Sequence, residues 1–142
     1  MSVTVLYSTT ATATGGRDGR TATADGAVDH KLVTPKKLGG AGGEGANPEQ
    51  LFAAGYAACF LSALKYVAVQ AKVKLDPTTT VTAQVGIGPR ADGTGFGLTV
   101  ALHVGMPDLD DDTARDLMAR AHVVCPYSHA TKGNIDVTVT RA

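Results

Sequence analysis

From Leu51 to Leu64 the chain reads LFAAGYAACFLSAL, fourteen residues without a single charge. Just before it stands Asn47-Pro48-Glu49-Gln50. Asn47 can N-cap a helix, Pro48 suits its first position, Glu49 suits its positive end, and Gln50 completes a capping-box-like arrangement. The pattern predicts a helix running to about Lys74. Its first half is uncharged on every face, and such a helix is buried all round. Its alanines and Gly55 let another backbone approach closely. The rest of the fold has to enclose this helix. The run is interrupted by Gly55 and Ser62 and falls short of the roughly 20 residues that a bilayer crossing needs, so protein is its expected surrounding.

The segments on either side read as short strands. Val3–Thr14 is rich in Thr, Val and Ala, and Gly15-Gly16-Arg17-Asp18-Gly19 is a strong turn signal. Arg20–Ala24 and Ala27–Val33 flank a second turn at Asp25-Gly26. Beyond the helix, Val81, Ala83, Val85 and Ile87 alternate, as do Leu98, Val100, Leu102 and Val104, with Asp92-Gly93 between them. A second helix is expected from Asp110, with Asp111 and Asp112 in its first turn, stopping before Pro126. Ile135, Val137 and Val139 make a last strand. Three strands, helix, hairpin, helix and strand predict one α+β domain over residues 1–142 with a largely antiparallel sheet.

Thirteen basic and thirteen acidic residues cancel, with no basic cluster. Neither nucleic acid nor an anionic membrane surface is an expected partner. Met1–Thr10 has no basic segment followed by an apolar one, so a cytoplasmic location is expected. Gly40-Ala41-Gly42-Gly43-Glu44-Gly45 fits a dinucleotide-binding pattern, but the acidic residue expected about 20 positions on is missing. It reads as a flexible loop, and no cofactor is expected.

Two cysteines stand 66 residues apart. A cytosolic thiol pair can be catalytic, redox-active or metal-binding, but composition alone favours two unrelated small buried hydrophobes. Cys59 lies mid-helix, beyond the reach of the helix dipole, and burial raises a thiol pKa. If it reacts, a positive group must come to it, and Arg17 is the candidate, although spacing alone reads Arg17 as a turn residue. Glu49 reads as a charge on a helix N-terminus. Cys125, in Cys125-Pro126-Tyr127-Ser128, lies where a helix must end, so its thiol can move or simply be buried. His122 and His129 flank it and, with both cysteines, leave zinc binding as an alternative.

Several stretches together resemble a known family. Ala13-Thr14-Gly15-Gly16-Arg17-Asp18-Gly19, Asn47-Pro48-Glu49-Gln50-Leu51-Phe52-Ala53-Ala54-Gly55-Tyr56, Ala58-Cys59-Phe60, Val85-Gly86-Ile87-Gly88 and Cys125-Pro126-Tyr127-Ser128 are similar to the organic hydroperoxide resistance proteins of the Ohr/OsmC superfamily. The resemblance runs nearly end to end. It implies an OsmC-like fold, an intertwined homodimer with two long central helices, and an active site at each subunit interface. It implies a thiol peroxidase for alkyl and fatty-acid hydroperoxides, recycled by a lipoyl-type dithiol. By position, Cys59 matches the peroxidatic cysteine, Cys125 the resolving cysteine, Arg17 the arginine that activates the thiolate, and Glu49 the carboxylate that holds it. His129 and Lys132 depart from the family's Asn and Arg. The alternatives are the OsmC branch, with other substrates, or a non-catalytic Cys/His protein.

Overall fold

The computed structural model describes residues 2–142. They form two compact units, one reaching to Pro48 and one running from Glu49 to Ala142.

The first unit is a three-stranded antiparallel sheet of β1 (Ala11–Thr14), β2 (Arg20–Thr23) and β3 (Asp29–Lys31), in that order. β1 is much shorter than the expected Val3–Thr14. Strands exist where a neighbour answers them, and β2 offers only four partners, Arg20 to Thr23. Val3, Val5, Leu6 and Tyr7 lie outside the sheet and are exposed. Leu32 is the one buried apolar side chain of this unit among the described residues.

Polar contacts and glycines hold the unit instead. Arg20 grips Asp29 with Nε and Nη2, the Nε contact at 2.7 Å. The Asp18 carboxylate accepts the Thr34 N–H at 3.0 Å, which holds its pKa below the usual carboxylate range. A Cβ on Gly19 would sit 1.7 Å from the Thr14 carbonyl oxygen, so only glycine fits there. The glycine-rich loop is not slack, as expected, but folded back on β3. The Ala46 N–H donates to the Lys31 carbonyl and the Val33 N–H to the Ala46 carbonyl, both at 2.9 Å.

The second unit contains α1 (Pro48–Gln70), the hairpin of β4 (Thr80–Pro89) and β5 (Phe96–Gly105), α2 (Asp111–Val124), α3 (Pro126–Thr131) and β6 (Val137–Arg141). The α+β class is as expected, and so is the hairpin. The sheets are largely antiparallel, as expected, with one parallel pair: β6 runs beside β5 in the same direction, Val100 opposite Val137. Parallel neighbours need a long crossover, and α2 with α3 provide it. Val100, Leu102 and Val104 on the inner face of β5 meet Tyr56, Phe60, Leu64 and Val67 of α1 and Ala114, Leu117 and Ala121 of α2 in one core.

Both helices start where the sequence places them. The Asp110 carboxylate caps α2 by accepting the Thr113 N–H at 2.8 Å. α1, however, stops at Gln70 rather than Lys74. Lys72 turns into the left-handed region (φ 56°), with Lys72 N–H donating to the Val69 carbonyl and Val73 N–H to the Ala68 carbonyl. That is a Schellman cap made without its usual glycine. By length and composition α1 is apolar enough to cross a bilayer, contrary to the sequence reading. Tyr56, Phe60 and Leu64 are nevertheless fully enclosed by protein. Burial is one-sided within the chain, because Ala54, Ala58, Ser62, Tyr66 and Val69 line an exposed face.

Candidate active site

The Pro126 ring disfavours helical geometry at the residue before it, and Cys125 is extended (φ −66°, ψ 122°). The same proline then opens α3, as prolines at a first helical position do. Cys125 is therefore both the C-cap of α2 and the N-cap of α3. The sequence led us to expect the stop but not the new helix. The corner delivers the Cys125 sulfur, fully buried, to 3.6 Å from the half-buried Cys59 sulfur on α1. Both cysteines are free thiols.

Burial pushes the Cys59 thiol up from its ordinary value, opposed by the Tyr127 backbone N–H bonded to its sulfur, while the neighbouring Cys125 thiol pushes it up further. Within its own unit, Cys59 is therefore held mostly as a thiol, and a reactive sulfur here needs an added positive group.

An aromatic group covers this end of α1. The Tyr127 ring lies 5.7 Å from that of Tyr56 and 6.1 Å from that of Phe52, and Phe52 meets Tyr56 edge-on at 5.9 Å. Gly55 makes room for it, since a Cβ there would come within 2.9 Å of the Tyr127 hydroxyl. Beneath the corner, the buried Tyr56 hydroxyl meets Ser128 Oγ at 2.9 Å, and Ser128 Oγ meets His122 Nδ1 at 2.9 Å. None of these partners was read from the sequence. The signal was Tyr56 itself, since a phenol in an otherwise apolar buried stretch must find a hydrogen bond.

Arg17 stands in the first unit, half-buried in the tight turn Gly16–Asp18. Gly15 enters that turn in left-handed conformation (φ 71°), and Asp18 and Gly19 anchor its far side. Glu49 lies in the first turn of α1, half-buried, ten residues before Cys59 and so about 15 Å from it along the axis. Of the four expected residues, the second unit brings the two cysteines together and keeps Glu49 apart from them. No group of three or more His, Cys, Asp or Glu side chains that could hold a metal occurs among the described residues. His122 is engaged with Ser128, and His129 is exposed.

Residues 40–140 match the model of the OsmC-like protein family. An organic hydroperoxide resistance protein of Xanthomonas axonopodis pv. citri is 56% identical, over 97% of this chain and 96% of its own. Among solved structures, an organic hydroperoxide resistance protein of Elizabethkingia anophelis superposes with a TM-score of 0.91 at 51% identity, covering 99% of both chains. A putative one of Vibrio cholerae, with captopril bound in one of its active sites, gives 0.91 at 49% identity over 99% of this chain and 95% of its own.

Proposed function

The chain belongs to the OsmC-like family, in its organic hydroperoxide resistance branch, and from that premise we propose that it is a thiol peroxidase reducing organic hydroperoxides to alcohols. The observation that carries this reading is the pair of free sulfurs 3.6 Å apart, one on α1 and one at the α2–α3 corner. Two thiols so close can exchange electrons with a peroxide without either leaving its place in the fold.

In the proposed cycle, the Cys59 thiolate attacks the outer peroxide oxygen. The O–O bond breaks, and the alkoxide takes a proton and departs as the alcohol. Cys59 is left as a sulfenic acid. The Cys125 thiol then attacks that sulfur, the S–S bond forms, and the hydroxyl leaves as water with the Cys125 proton. Disulfide formation protects Cys59 from irreversible oxidation. A lipoyl-type dithiol reopens the bond by exchange, giving two electrons and becoming a disulfide itself. The Vibrio cholerae relative holds a thiol, captopril, at an active site, which suits a site open to thiols.

Arg17 supplies the positive group that Cys59 needs. At about 4 Å and an effective dielectric near 20, its attraction is about 4 kcal/mol, comparable to roughly three pKa units before the opposing effect of burial is subtracted. The guanidinium also donates hydrogen bonds to the peroxide oxygens. Glu49 orients Arg17. Because Glu49 and Cys59 are far apart on one helix, the Glu49 that serves a given Cys59 comes from a second copy of the chain. The exposed Ala54–Ala58–Ser62 face of α1 and the exposed Val3, Val5, Leu6 and Tyr7 supply apolar surface for that homodimer. Phe52 and Tyr127 offer an apolar wall to an alkyl substituent. A free thiol pair recycled by a dithiol suits the reducing cytoplasm.

Turnover with a lipoyl-type dithiol, comparing cumene hydroperoxide with hydrogen peroxide, tests the reading. Preference for the organic substrate is expected. Equal rates would move the chain to OsmC-branch chemistry, and no turnover with either would end the peroxidase assignment.

A further inference from the structure

Four hydrogen-bond contacts run in a line beneath Cys125. His122 Nδ1 meets Ser128 Oγ at 2.9 Å, Ser128 Oγ meets Tyr56 Oη at 2.9 Å, Tyr56 Oη meets Thr131 Oγ1 at 3.3 Å, and Thr131 Oγ1 reaches the Ser128 carbonyl at 3.1 Å. Three hydroxyls bring three protons. The carbonyl only accepts, so Thr131 donates to it. Tyr56 then donates to Thr131 and Ser128 to Tyr56. The fourth contact is left needing a proton, and His122 Nδ1 must carry it. Running the line the other way would set lone pairs against each other between Tyr56 and Thr131. That is unfavourable where Tyr56, Ser128 and Thr131 are all buried.

The line ties three helices at the cysteines. His122 on α2 and Ser128 on α3 stand three residues either side of Cys125, and Tyr56 stands three residues before Cys59 on α1. We propose that this proton-ordered line makes His122 a positioning residue, which holds Cys125 against Cys59 for disulfide closure. Burial, with Lys132 nearby, pushes the His122 pKa down. A neutral ring carries one proton, and the count puts it on Nδ1. The inference rests on the proposed thiol cycle for its meaning, but the placement it describes can be measured without any peroxide.

Two measurements test it. Nitrogen NMR of the wild-type protein should show His122 as the Nδ1–H tautomer. Equilibration with glutathione, in which oxidised glutathione takes two electrons from the cysteine pair and becomes two thiols, gives the effective concentration of Cys125 at Cys59. His122→Leu should lower that concentration by roughly tenfold to a hundredfold, the scale of small misplacements. His122→Asn, which puts an amide N–H where Nδ1 was, should restore it. An Nε2–H tautomer overturns the proposal. So does a His122→Leu protein with the wild-type value, or a His122→Asn protein as impaired as His122→Leu. If His122→Leu does not fold, the tautomer decides. A wild-type protein that closes its disulfide with glutathione but consumes no cumene hydroperoxide would remove the peroxidase reading and leave the positioning role intact.

Discussion

Fourteen buried residues from Tyr56 onward form a continuous cluster, whereas the described residues up to Pro48 contain one buried apolar side chain, Leu32. A fully buried Leu, Val or Phe contributes about 1.5–3 kcal/mol, so the second unit has a core of its own and the first does not. A three-stranded sheet without an apolar face is marginal in water. What the first unit does have is a rigid turn, in which Gly15, Asp18 and Gly19 fix the backbone around Arg17. The difference teaches that, in the proposed cycle, the chain divides its labour. One unit stabilises and brings two sulfurs together, and the other presents a charge. In the proposed dimer a second copy covers the apolar side chains that the first unit leaves exposed.

The comparison breaks first on Cys59. Cys59→Ser should reduce dithiol-driven turnover to background, while Cys125→Ser should still consume one equivalent of hydroperoxide and then over-oxidise. Sustained turnover by Cys59→Ser would show that the second unit does not carry the chemistry. The next largest effect belongs to the first unit. Arg17→Ala should slow reaction with organic peroxide by about a hundredfold to a thousandfold, as loss of an electrostatic donor does. Thiolate is the reactive form, and burial already raises the Cys59 pKa. Without Arg17 the rate should therefore rise with pH through a higher midpoint, followed by the thiolate's ultraviolet absorbance. Arg17→Lys keeps the charge but not the planar fork, so it should keep more of the thiolate than of the rate. An unchanged pH profile in Arg17→Ala would reduce Arg17 to a turn residue.

Stability separates the units more gently. Leu102→Ala, in the core of the second unit, should cost about 2–5 kcal/mol in urea denaturation. Leu6→Asp, at a side chain 96% exposed within the chain, should instead lower the mass seen by light scattering on dilution. A Leu6→Asp protein that stays dimeric would take the N-terminal segment out of the interface. The smallest effect lies at the end of α1. Lys72→Gly should stabilise the second unit by up to about 1 kcal/mol, because glycine adopts the left-handed conformation freely.

Local signals made much of this legible. Asn47-Pro48-Glu49 marks the start of α1, Asp110–Asp112 the start of α2, and alternation marks β4 and β5. The strength of the capping and turn chemistry explains why those boundaries held. Two boundaries and one pairing direction were not legible, because each depends on what the element meets in space. β1 starts late, at Ala11, because its length depends on the strand opposite, and α1 ends before Lys74 because no glycine announces the cap. β6 runs parallel to β5 because of the crossover, which alternation along β6 cannot report.

The site divides in the same way. The sequence by itself singled out the four residues proposed for the chemistry, Cys59, Cys125, Arg17 and Glu49, through the family resemblance. Their local contexts read equally as buried thiols, a turn residue and a helix-start charge. The tertiary structure alone decided that the two sulfurs lie 3.6 Å apart and that Tyr56, Ser128 and His122 share one line of hydrogen bonds. Residue identity and local turn chemistry are written along the chain. A distance across 66 residues, and the direction of a proton in a buried contact, exist only once packing has brought the partners together.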